Sequence, residues 1–399
     1  MTTSNRTQVI NSLTIHTHFN FANVTTFGHV CFKSQLMIRF PKWMAATLLL
    51  VLSLPKLYAQ DKQSFQQPTL SDSTSWTLVL LPDIQNYVKF QRNQPILDVM
   101  MNWIVQHRDR LNIEMVMCTG DLVEHDDIIN PDPKKMDQTG KQQWEAAARA
   151  FAKLDGKIPY ITATGNHDYN IFSYTHKPKT THFPQYFYPD KNSENQKILR
   201  EVTENVYGNP SLENAAYQWK SPHGKPFLFL SLEFAPRDTV LRWANKIVNQ
   251  QKYADHSVVL LTHAYLNYKN EHIATAKYDL QDAHYGTAVF DRLVRPAKNI
   301  EMVFSGHIGA PNDVRKHLGF RIDNNSAGKR VSQMTFNAQA LGGGTYGSGG
   351  DGWIRILEFL PDGKTVKVRT FSPFFALSSS TQHLAWRTED YDEFTITLN

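Results

Sequence analysis

Five short apolar runs each end in a side chain that can hold a metal or move a proton. Pro82-Asp83-Ile84-Gln85 follows the run Trp76 to Leu81, Gly120-Asp121 follows Met115 to Thr119, and Gly165-Asn166-His167-Asp168 follows Tyr160 to Thr164. His263 follows Ser257 to Thr262, and Gly306-His307 follows Met302 to Ser305. One Asp after a strand is ordinarily a helix cap. Five such residues at the same end of five elements argue for one site. Oxygen and imidazole donors without thiolate suit two hard or borderline divalent cations. Asp121 would bridge them, with Asp83 and Gln85 on the first ion and Asn166, His263 and His307 on the second. Two such ions acidify a water and clamp the entering and leaving oxygens of an in-line displacement at phosphorus, so attack by a metal-bound hydroxide is expected. His167 follows Asn166 directly, and one tight turn cannot aim both at one ion. It is the expected general acid, with Asp168 placed to orient its ring or raise its pKa. No nucleophilic Ser or Cys motif competes.

The apolar runs are short and rich in β-branched, aromatic and leucine residues, as buried strands are. Phe227 to Leu232 is a sixth. Between them, Ile96, Val99/Met100, Trp103 and His107 fall at helical spacing behind Pro95, as do Trp144, Ala147/Ala148, Phe151 and Leu154, and Val240 to Val248 repeats the pattern. Strands alternating with helices predict an α/β layered fold whose site lies at the carboxyl ends of the strands. The stretch from Asn170 to Asn214 lacks a period and reads as an excursion that shapes the site. Its aromatics Tyr174, Tyr186, Phe187 and Tyr188 either line the pocket or pin the loop. After Arg330 the pattern is all-β: Val331 to Gln339 is one strand, and Trp353 to Leu360 pairs with Thr365 to Phe371 across Pro361-Asp362-Gly363-Lys364. Gly342 to Gly352 lacks the order of a phosphate-cradling loop and reads as a flexible connection.

Of 42 basic and 37 acidic residues among 399, five basic and no acidic ones lie before Gln60, which leaves 37 against 37. A balanced remainder argues against binding a nucleic-acid backbone. Arg39 and Lys42, the apolar run Met44 to Leu54 and Leu57-Tyr58-Ala59 form the pattern of a cleaved leader, so residues 1 to 59 are read as removed, with Met37 as the start and export to the periplasm or exterior as the consequence. The run is shorter than the roughly 20 residues of a membrane span. Residues 60 to 75 read as a linker, 76 to 310 as the core and 311 to 399 as strands completing it. Cys31 lies in the leader, and Cys118 is expected to pack in the core.

In order, these blocks resemble the calcineurin-like metallophosphoesterase superfamily, whose pattern runs D-x-H, G-D, G-N-H-[DE], a lone H, and G-H-x-H. The resemblance spans residues 76 to about 310. It implies a four-layer αββα sandwich, here with additional C-terminal β-strands, a dinuclear site (Mn, Fe or Zn) bridged by Asp121, His167 as proton donor, and a phosphomonoester or phosphodiester substrate. Two positions depart from the pattern. Gln85 stands for the first-block His, and Gly309 for the second His of the last block. Both belong by the resemblance to the first metal, so that site is expected to be weak; Glu124 or His125, just after Asp121, either supplies the missing ligand or is a solvated loop residue. The D-x-Q-N-Y form and the ending GWIRILEFLPDGKTVKVRTFSP look like an exported bacterial branch. The alternative reading is a non-catalytic binder that keeps one metal at Asn166, His263 and His307 to hold a phosphorylated or carboxylated ligand.

Overall fold

Phe227 and Phe229 enter one apolar cluster, while Leu228 and Leu230, alternating with them, enter another. Successive side chains of a strand leave on opposite faces, so this strand is covered on both sides. The same division runs through most of the molecule. The computed structural model describes residues 65–170, 179–278 and 280–399. The leader, its start at Met37, and Tyr174 lie outside them.

Fourteen strands are described: β1 (Trp76–Leu81), β2 (Ile113–Cys118), β3 (Tyr160–Thr162), β4 (Leu199–Glu204), β5 (Pro210–Lys220), β6 (Pro226–Ser231), β7 (Ser257–Leu261), β8 (Ile300–Ser305), β9 (Leu318–Asn324), β10 (Arg330–Phe336), β11 (Ile354–Phe359), β12 (Thr365–Phe371), β13 (Trp386–Arg387) and β14 (Phe394–Thr397). One sheet runs β13-β12-β11-β1-β2-β3 with β14 also on β12, and the other runs β4-β5-β6-β7-β8-β10-β9. The pairs β1/β2, β2/β3, β6/β7, β7/β8 and β8/β10 are parallel. Helices α1 (Gln94–Gln106) and α2 (Gly140–Phe151) cover the first sheet, with Ile96, Met100, Trp144 and Phe151 in its cluster. Helices α3 (Asp238–Val248) and α4 (Gly286–Val289, continued by a π turn over Phe290–Val294) cover the second through Val240, Leu241, Leu293 and Val294. The result is an αββα sandwich. Trp76 ties its sheets together, stacked on Phe359 at 4.0 Å and edge-on to Phe227 at 5.6 Å, contacts each contributing about 0.5–1.5 kcal/mol beyond burial. Among the described residues no helix is long and apolar enough to cross a membrane.

Four expectations change. The excursion is aperiodic only in part: Ser193–Ile198 is helical, and β4 and β5 form a hairpin that edges the second sheet. Phe187 is buried against Phe151 and Phe183 and pins the loop, Tyr186 stacks on Trp144, and Tyr188 is exposed. The expected linker is, from Phe65 onward, docked on the C-terminal strands, because Ser71 donates to the buried Glu358 carboxylate and Phe65 stacks on Phe371. The expected strand Val331 to Gln339 stops at Phe336, where Asn337 turns the chain by accepting from the Ala338 and Gln339 amides. The glycine-rich loop is clamped rather than free: Asn93 and Arg92 donate to the Gly347 and Tyr346 carbonyls, and Gly352 donates to the Tyr87 hydroxyl.

Candidate active site

The glycines of the sequence blocks are there because backbone meets carboxylate. A Cβ at Gly165 would lie 2.1 Å from Asp121 Oδ1, and one at Gly306 would lie 2.0 Å from Asp83 Oδ1. Asp121 and His307 themselves have φ of 47° and 77°, a left-handed conformation that costs a non-glycine residue roughly 1 kcal/mol or more. The fold holds this strain at two of the expected ligands.

The ends of β1, β2, β3, β7 and β8 bring the expected metal residues together. His263 Nε2 lies 3.3 Å from Asp121 Oδ2 and 3.2 Å from Asn166 Oδ1, and His307 Nδ1 lies 2.8 Å from the same Asn166 oxygen. One donor atom each from Asp83, Asp121 and His263 lies within 4.8 Å of the others. Asp83 is oriented by Thr119 Oγ1 at 2.7 Å, the His307 amide at 2.9 Å and Asn337 Nδ2 at 2.5 Å. His263 is held through Nδ1, 2.8 Å from the Thr119 carbonyl, which leaves Nε2 facing the cluster. Gln85 Nε2 donates to Asp121 Oδ2 at 3.1 Å and to Gln339 Oε1. Asp83, Gln85, Asp121, Asn166 and His263 are buried.

The electrostatics are those of a site short of positive charge. Burial, then the neighbouring Asp121, pushes Asp83 up to about 7 despite His263. Burial works against Asp121 too, but His263 and His167 hold it below the usual carboxylate range. His263 is raised to about 9 because Asp121 and Asp83 outweigh its burial, and burial with His263 alongside pushes His307 down to about 3. A divalent cation relieves this crowding, and the oxygen and imidazole donors fit one.

The expected acid and its expected partner part company. His167 donates its own backbone N–H to Asp121 Oδ1 at 2.9 Å, and its ring Nδ1 lies 2.8 Å from the Glu124 carbonyl. Asp168 instead accepts from the Leu122, Val123 and Gly165 amides at 2.7, 2.9 and 2.7 Å. Its carboxylate thus joins the loop after β2 to the turn after β3, and the orienting contact expected of it belongs to Glu124. Glu124 in turn is paired with the fully buried Lys89 at 3.2 Å, so the substitute-ligand expectation for Glu124 gives way to this role. His125 pairs with Asp127 at 3.2 Å. A wall of Phe234 and Tyr278 stands beside the histidines, with Phe234 5.9 Å from His263 and Tyr278 6.2 Å from His307.

The family model for calcineurin-like phosphoesterase matches residues 77–311. The chain belongs to this family. Metal-dependent phosphoester hydrolysis is the general activity of that family, and the Asp83, Asp121 and His263 group of this chain is a candidate for divalent-metal binding. Among curated proteins, the chain is 27% identical over 332 residues to the uncharacterized protein YvnB of Bacillus subtilis (strain 168), a match covering 81% of this chain and 22% of that one. The chain therefore spans about a fifth of the length of that relative. Among solved structures it resembles GAP50, the anchor in the inner membrane complex of Plasmodium, at 11% identity and a TM-score of 0.42, covering 82% of this chain and 89% of that one.

Family motifs do not reach Thr119, Lys89, Asn337 and Gln339. Thr119 was readable as the last residue of an apolar run one strand over from Asp83. Lys89 falls one helical turn after Gln85, a spacing the sequence shows, but its nearness to the distant Tyr346, whose ring lies 5.5 Å from its ammonium, is not a local signal. Asn337 and Gln339 have no local signal, since β10 joins the site only through its parallel pairing with β8.

Proposed function

We propose that this protein is an exported enzyme that hydrolyses a phosphomonoester or phosphodiester with two divalent ions and His167 as general acid. The observation that carries the reading is the convergence of Asp121, Asn166, His263 and His307 within hydrogen-bonding distance at parallel strand ends. Bound divalent ions supply an acidified water and neutralise the phosphoryl oxygens. The chain's own residues do the rest. A carbonyl oxygen only accepts, so His167 Nδ1 carries a proton toward Glu124, and protonation of the ring places a second proton on Nε2. Burial opposes that charge, but Asp121 and Glu124 together raise the His167 pKa above its ordinary value. The ring is therefore stocked to protonate a departing alkoxide near neutral pH. Phe234 and Tyr278 wall the site on the histidine side and limit water. Export rests on the leader pattern in residues 1 to 59. The single-metal binder draws no support from the family match.

The purified protein is assayed on p-nitrophenyl phosphate and bis(p-nitrophenyl) phosphate with Mn2+, Zn2+, Fe2+ or no metal, beside His167→Ala. Metal-stimulated turnover that the substitution suppresses is expected. Equal rates with and without metal overturn the reading.

A further inference from the structure

The two imidazoles absent from positions 85 and 309 leave a space, and the fold fills it. A Cβ on Gly309 would lie 2.8 Å from His317 Nε2 and 3.7 Å from Gln339 Cγ. His317 is no replacement ligand. It is fully buried, its Nδ1 lies 2.8 Å from the Asp313 carbonyl, and its Nε2 accepts from the Ala340 amide at 3.3 Å. Backbone groups therefore engage both ring nitrogens.

Gln339 is placed differently. Asn337 Oδ1 accepts from its backbone N–H at 3.1 Å, and Asn337 Nδ2 donates to Asp83 Oδ2 at 2.5 Å, so one side chain ties the Gln339 turn to an expected ligand. The Gln339 amide oxygen then points at the Gln85 amide group. Gln85 Nε2, the positive pole of that amide, sits between Gln339 Oε1 and Asp121 Oδ2, where two oxygens converge as they would on a cation. Gln85 Oε1 is buried and has no hydrogen-bond partner among the described residues, a condition that costs about 1–3 kcal/mol. A half-turn of the last torsion exchanges amide oxygen and nitrogen. It would set the orphaned oxygen beside Gln339 Oε1 and Asp121 Oδ2, three oxygens facing one another with no hydrogen between them. Oxygens gathered without a donor between them make a cation site.

We propose that Gln339, from the turn after β10, takes the place of the imidazole missing at position 309, so that the first ion is held by oxygens alone: Asp83, Asp121, Gln85 Oε1 and Gln339 Oε1. This rests on the metal-dependent reading above and divides its two sites by chemistry. The all-oxygen site takes a hard cation, Mn2+ or Mg2+, whereas His263 and His307 give the second site its affinity for Zn2+ or Fe2+. Two neutral amides add no charge, so the first ion is the weaker bound.

Mn2+ binding to the full-length protein is counted by equilibrium dialysis with elemental analysis and followed by electron paramagnetic resonance, for wild type, Gln339→Ala and Gln339→Glu, with thermal unfolding as the folding control. Wild type is expected to bind Mn2+ in two steps. Gln339→Ala weakens the weaker step by roughly tenfold or more and leaves the tighter one, as loss of a supporting group does. Gln339→Glu, which keeps the shape and adds a charge, strengthens the same step and reads the proposal even if the alanine variant does not fold. Two unchanged steps in both variants overturn the inference while leaving the proposed function intact. No Mn2+, Zn2+ or Fe2+ binding by wild type removes the metal reading itself.

Discussion

His167 Nδ1 lies 2.8 Å from the backbone carbonyl of Glu124, three residues after Asp121. One loop thus presents an expected metal ligand and fixes the ring expected to protonate the leaving group, which sets their separation by backbone geometry. If His167 acts as the acid, its removal hurts most where the leaving group is a poor one. His167→Ala should lower kcat by about 10²–10⁴-fold on an alkyl phosphate and by less on p-nitrophenyl phosphate. Comparing kcat on the two substrates checks this, and equal losses would contradict it.

Asp168 supports the site through backbone rather than through the imidazole. Its oxygens accept three amide hydrogens, two from the loop after β2 and one from Gly165. Asp168→Asn turns an NH2 group toward at least one of those donors, at a cost of roughly 1–3 kcal/mol. Urea unfolding should show that loss. The pH dependence of whatever activity remains should keep its wild-type midpoint, since the ring's orientation comes from Glu124.

Behind Phe234, Glu233 is fully buried between Lys179 at 3.0 Å and Arg237 at 2.9 Å. Burial opposes its charge, but the two cations hold its pKa at about 2, below its ordinary 4.5. Lys179 is itself pulled below its ordinary value because burial outweighs the pairing, so the pH dependence is reckoned from the carboxylate. A depressed carboxylate stabilises the fold above its unfolded pKa, and that contribution fades as pH falls from about 4.5 toward 2. Glu233→Gln should cost roughly 3 kcal/mol at pH 7. Urea unfolding at pH 7 and pH 3 checks this: the gap between variant and wild type should narrow at the lower pH.

Metal removal should destabilise as well as inactivate. Buried Asp83 and Asp121 lie together without enough countercharge, and an ion that binds only the folded chain adds about 2.7 kcal/mol at a hundredfold excess over its Kd. Chelation should lower the melting temperature, and Mn2+ should restore it. An unchanged melting temperature would count against metal at this site.

What the sequence made legible follows from range. The apolar run Phe227 to Leu232 and the helical spacing from Ile96 to Trp103 are local, and both report burial directly. The block residues were readable because glycine and ligand are neighbours in the chain, as Gly120 is to Asp121, Gly165 to Asn166 and Gly306 to His307. Asp168 was misread because its type and position suit a hydrogen bond to His167 as well as to amides, and only the fold chooses. Gln339 and Asn337 were invisible, 254 residues from the groups they contact. The docking of Phe65 on Phe371 was hidden for the same reason.

The most direct test of the account compares wild type with Asp121→Asn, the residue expected to touch both ions, by measuring Mn2+ bound and phosphoester turnover on the same samples. Wild type is expected to bind Mn2+ and to hydrolyse a p-nitrophenyl phosphate ester, and the substitution to abolish turnover together with most of the bound Mn2+. Undiminished turnover by the variant, or by wild type stripped of metal, would contradict it.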